Sequence, residues 1–140
     1  MASSAQPAGV GAGNVLNRRA RSQLSMLVLQ FLLGIGVNLI GLPSENTGAT
    51  KVITGILLGL HILLSLGLLV VAVLCLLRSG PLDDAMRNQV LLGGVLVLVS
   101  FVAGILDTSL GSNWWSFLMA VGFIGAFVVY GWIYVKTARS

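Results

Sequence analysis

Four stretches of the chain are almost wholly apolar, and short polar breaks separate them. They cover 24–42 (LSMLVLQFLLGIGVNLIGL), 52–77, 89–106 and 114–135. A helix rises ~1.5 Å per residue and the hydrocarbon core of a bilayer is ~30 Å thick, so about 20 mainly apolar residues span it. Each stretch has roughly that length, and none shows the polar/apolar alternation of a barrel strand. Helix is the expected form, because an open sheet would leave backbone groups unpaired in lipid.

The breaks at 41–48, 78–84 and 107–113 are rich in Gly, Pro, Asn, Asp and Ser, which end helices and make turns. Connections this short force neighbouring spans to run antiparallel. The pattern therefore predicts an all-α, integral membrane, antiparallel four-helix bundle: one transmembrane domain over 24–140 behind a flexible basic tail at 1–23. Residues 1–17 are small, uncharged and poor in large apolar groups, which is too little to repay the entropy of ordering. Ser112 or Asn113 is the expected N-cap of the fourth helix. A cleaved signal peptide is not expected, since the first apolar run is too long and GLPSEN follows it without an A-x-A-like site.

Composition supports the same picture. The chain is 56% hydrophobic and 9% charged, with a mean hydropathy of +0.99, whereas a water-facing domain carries about a quarter charged residues. Its net charge of +4 does not point to nucleic acid, because the basic residues form no continuous patch. Instead they report topology. Arg18, Arg19, Arg21, Arg78, Arg87, Lys136 and Arg139 fall on one side of the membrane and Lys51 alone on the other. The positive-inside rule then places both termini in the cytoplasm, in a multi-pass protein of the cell membrane. Trp114 and Trp115 mark the outer interface, and Tyr130, Trp132 and Tyr134 the inner one. Cys75 is the single cysteine, so no intramolecular disulfide can form.

Polar residues inside a span are costly, and they turn toward the bundle or a wet cavity. Gln30, Gly34 and Asn38 recur at four-residue steps on the first helix, and Thr54, His61 and Ser65 share a face of the second. His61 lies ~14 Å below the outer end of its helix and Gln30 ~9 Å above the inner end of its own, which brings them to similar depth in an antiparallel pair. The lone imidazole has three expected uses: a structural bond to Gln30 or Ser65, a cofactor nitrogen, or a proton or ion role. Asp107, at the outer end of the third helix, is expected to pair with Lys51. Small residues let helix backbones approach in lipid, and the steps Gly55–Gly59, Ser100–Gly104 and Gly122–Ala126 mark expected packing faces.

Gln30-Phe31-Leu32-Leu33-Gly34 is echoed by Gln89-Val90-Leu91-Leu92-Gly93, and Met119 then falls near the place where a second histidine would stand. The stretch LVLQFLLGIGVN followed by GLHILLSLGLLV resembles the Q-x-x-L-G helix paired with a histidine helix in haem A synthase-like membrane proteins. Gln30, Gly34 and His61 match that unit. The resemblance implies a bundle that holds b-type haem between histidines; here His61 would supply one axial nitrogen and Met119 the opposite sulfur, a combination haem iron accepts. The chain departs from the unit at Asn38, where a basic residue often stands, and in its missing second histidine. With SFLMAVGF and VVYGWIY included, residues 24–135 are more similar still to small uncharacterised four-helix integral membrane proteins of bacteria, a likeness that implies no activity.

No phosphate-binding loop, H-E-x-x-H or Ser-His-Asp set is present, so enzymatic chemistry has no visible home. No span carries an acidic residue near its centre, unlike proton-coupled exporters. The first expectation is a structural or interaction protein, an accessory subunit whose partners are the lipid bilayer and either further copies or a larger membrane complex, not nucleic acid. The alternative is a haem-b redox or haem-handling bundle using His61. Small-solute transport past Gln30, Asn38, His61 and Asp107 comes third.

Overall fold

The long apolar runs do form helices, and the helices begin before them and in α3 and α4 also end after them. A computed structural model describes residues 8–80, 82–110 and 113–139. Among them are α1 (Ala8–Ile40), α2 (Gly48–Leu77), α3 (Asp84–Leu110) and α4 (Asn113–Ala138). Each is long and apolar enough to cross a membrane, so the chain is a multi-pass membrane protein. It is an all-α, antiparallel four-helix bundle.

The largest difference from the sequence reading is at the start of α1, which begins at Ala8 rather than at 24. The basic segment expected in a flexible tail is helical, and Leu16, Ala20 and Gln23 on it are fully buried. Arginines mark where hydrocarbon ends, but they are good helix formers and do not stop a helix. The buried positions 16, 20, 23 and 27 keep the spacing of one helical face, while Arg18 and Arg21 are exposed beside it. The first seven residues of the expected tail lie outside the described residues, as does Ser112. Asn113 is already the first residue of α4 rather than its cap.

Turn chemistry ends and starts the other elements. Gly41 follows α1 with φ +88°, the left-handed conformation that closes a helix and that glycine adopts without a Cβ penalty. Asn46 Nδ2 donates to the carbonyls of Ile40 at 3.0 Å and Leu42 at 2.9 Å, which satisfies oxygens that the helix end leaves bare. Asp83 caps α3, its Oδ1 accepting from the Met86 N–H at 2.7 Å.

The helices form a ring in which α1 packs on α2 and α4, and α3 packs on the same two; the backbones of the diagonal pairs stay more than 8 Å apart between Cα atoms. Burial is concentrated in the half of the bundle that holds the chain ends. Leu16, Leu27, Leu68, Cys75, Val90, Tyr130 and Ile133 form the core there. Toward the other end burial thins to single residues such as Thr54 and Ala103. Small residues bring the helices close: Gly93 lies under the Tyr130 ring, and Gly122 lies against the α3 backbone at Leu96 and Ser100. Large apolar side chains cover the outside of every helix, among them Leu32 at 58%, Leu63 at 66% and Val128 at 63% exposed. In water that surface would be an aggregation liability, and in lipid it is the solvated face.

Candidate functional site

The structure brings Gln30, His61 and Ser65 together in the seam between α1 and α2. Gln30 is nearly buried on α1, and its Nε2 lies 2.9 Å from His61 Nε2. The same amide nitrogen donates to Ser65 Oγ at 2.5 Å, and Ser65 Oγ–H donates back to the His61 carbonyl at 2.8 Å, one turn earlier. The imidazole is thus tied to α1 through its Nε2 edge, with Gln30 Nε2 within hydrogen-bond distance of both the ring and Ser65 Oγ. Gly34 makes room for it: a Cβ there would stand 3.2 Å from His61 Cε1. Glycine at 34 and glutamine one turn earlier thus form a socket for the ring.

Two atoms of the cluster have no hydrogen-bond partner, Gln30 Oε1 and His61 Nδ1. Three further buried polar atoms share that condition: Gln23 Oε1, Ser100 Oγ and Tyr130 OH.

A second set of polar bridges, absent from the sequence reading, lies closer to the chain ends. Gln23 Nε2 donates to the Leu68 carbonyl at 3.0 Å, and Arg19 donates to the Leu74 carbonyl. Asn17 Nδ2 donates to the Tyr134 carbonyl at 3.0 Å and to Thr137 Oγ1 at 2.9 Å. Polar side chains of α1 therefore tie it to α2 through residues 19, 23 and 30 and to α4 through residue 17. The signal for Gln23 was available, since it stands two turns before Gln30 on the same face. Starting the helix at 24 hid it.

The remaining expected site residues are dispersed. Asn38 shares the face of Gln30 but is exposed, because the bundle is thinly packed at that end. Asp107 is half-buried and Lys51 exposed, and no ion pair joins them among the described residues. Gly122 and Ala126 are buried in α4; Ser100 on α3 meets Gly122, and Gly104 on α3 lies beside Met119 Sδ. Gly55 and Gly59 do not pack within the chain, and a Cβ at either would meet nothing within 4 Å. At 100° per residue they stand roughly 100–140° around α2 from its inward face at Thr54, His61 and Ser65.

The structure does not bring His61 and Met119 together. His61 turns toward α1, with Gln30 Nε2 at 2.9 Å from its Nε2, while Met119 turns toward Gly104 on α3. The helices that carry the two residues stand diagonally in the ring, with no Cα atoms of one within 8 Å of the other. Among the described residues no cluster of three or more His, Cys, Asp and Glu could hold a metal ion. Comparison with protein families, with curated proteins and with solved structures finds no match.

Proposed function

We propose that the protein is an interaction or accessory subunit of the cell membrane, with both termini in the cytoplasm and the Gly55–Gly59 face of α2 as its docking surface. The observation that carries this reading is an asymmetry among the glycines. Those at 34, 93, 104, 122 and 125 are each met by a neighbouring helix, whereas Gly55 and Gly59, one turn apart, have nothing within 4 Å; Gly13, Gly94 and Gly131 are open in the same way but stand singly on their helices. Small residues one turn apart on a lipid-facing surface let a second helix backbone come close, which drives association where hydrophobic attraction is absent. The intramembrane polar residues support the same reading, because Gln23, Gln30, His61 and Ser65 bridge α1 to α2 and line no continuous path with Asn38 and Asp107. The basic residues at the end that holds the termini support the orientation.

The test is cross-linking in native membranes through cysteine placed at Gly55, in a Cys75→Ser background. The reading predicts a discrete cross-linked species, either a dimer or a complex with one membrane partner, that Gly59→Phe abolishes. A chain that stays monomeric and uncross-linked in its own membrane contradicts it.

A further inference from the structure

We infer that the last two turns of α4 bind the headgroup of an anionic phospholipid, with the phosphate between Lys136 and Arg139 and the glycerol and upper acyl chain against Trp132 and Val135. These four residues line one surface hollow. Trp132, Val135 and Lys136 share one face of α4 at i, i+3 and i+4, and Arg139 follows directly after the helix end at Ala138. Lys136 Nζ lies 5.0 Å from the centre of the Trp132 ring, so the indole holds the cation at the rim of the apolar floor. Neither cation is neutralised, since no carboxylate pairs with Lys136 or Arg139 among the described residues. The acids at this end of the bundle are Asp83, in the α2–α3 turn, and Asp84, the first residue of α3, and Asp83 is engaged in capping α3.

A cationic rim above an aromatic and aliphatic floor matches a lipid better than it matches a free anion. An interfacial tryptophan fixes the depth at the headgroup level, and Val135 and Trp132 are half exposed toward acyl chains. A zwitterionic lipid brings its own cation next to its phosphate, whereas an anionic lipid brings a net negative charge. The α4 C-terminus opposes an anion with the equivalent of about half a negative charge, and two full positive charges outweigh it. Cation clusters next to a membrane-spanning helix select anionic lipids on this principle. The inference is independent of the α2 docking face.

The test uses the full chain with Trp114→Phe and Trp115→Phe, which leaves Trp132 as the only fluorophore of its kind. The protein is reconstituted into phosphatidylcholine vesicles that contain, at equal mole fraction, bromine-labelled phosphatidylglycerol or bromine-labelled phosphatidylcholine. Bromine quenches an indole it touches. The expected result is a preference of roughly fivefold for the anionic lipid at Trp132. Lys136→Gln with Arg139→Gln removes the preference, and Lys136→Arg keeps it. The charge-matched pair Arg78→Gln and Arg87→Gln leaves it unchanged. Both α4 cations are exposed, so helix content by circular dichroism remains intact in every variant. Equal quenching by the two lipids overturns the inference. So does a preference that survives neutralisation of Lys136 and Arg139, or one lost equally with Arg78 and Arg87, which would mark diffuse surface charge. Relief of the quenching by inorganic phosphate at constant ionic strength would assign the hollow to a free anion instead.

Discussion

At the level of single residues, the protein brings three of its membrane-embedded polar groups, Gln30, His61 and Ser65, together. Gln30 serves both His61 and Ser65, and a hydrogen bond between helices in lipid contributes about 0.6 kcal/mol on average and up to about 1.7. A double-mutant cycle with Gln30→Leu and His61→Leu, read by reversible unfolding in mixed detergent micelles, is expected to return a coupling within that range. Strictly additive losses would show that the two side chains do not interact. This pair was legible in the sequence because helical rise alone sets both residues at one depth. Asn38 was misleading for the complementary reason: it shares the face of Gln30, yet periodicity says nothing about where neighbouring helices draw apart. Gln23 and Asn17 were missed because residues beside arginines read as water-facing, and Gln23 is fully buried. Tyr130, expected at the inner interface, is instead fully buried in the core.

Among the helices, hydropathy located all four but placed their ends at the limits of hydrocarbon instead of at the limits of hydrogen bonding. The boundary at 24 became Ala8, and that at 106 became Leu110. Charged and small residues continue a helix in water as readily as apolar ones do in lipid, so only caps such as Gly41 and Asp83 reveal true ends. Helix packing was partly legible. Small-residue steps occur on α2, α3 and α4, but sequence spacing does not say which of them meet a partner inside the chain. Their responses to a single methyl group should therefore differ. Gly122→Ala drives a Cβ into Ser100 and the Leu96 carbonyl and should cost about 1–3 kcal/mol, as overpacking does. Gly59→Ala meets nothing and gains helix propensity, so it should be neutral or stabilise by up to about 1 kcal/mol. Thermal or denaturant unfolding of the two variants decides the matter, and equal destabilisation would refute the assigned packing.

For the molecule as a whole, the arrangement is two helical hairpins closed into a ring, well packed near the chain ends and open toward the loops. Its apolar exterior is matched to lipid, and its basic residues gather at the end where both termini emerge. Such asymmetry supports the proposed orientation, and the outward glycines of α2 support the proposed docking face. The central claim is that four helices cross the bilayer with both termini on one side. It is tested most directly by labelling single cysteines in sealed inner-membrane vesicles of known orientation with a membrane-impermeant maleimide. Suitable sites in a Cys75→Ser background are Asn14→Cys and Ala138→Cys near the chain ends and Ser44→Cys and Ser109→Cys at the opposite end; all four positions are exposed. The account predicts that the two terminal sites label from the cytoplasmic face only and the two loop sites from the opposite face only. Labelling of Asn14→Cys and Ala138→Cys from different faces would contradict it.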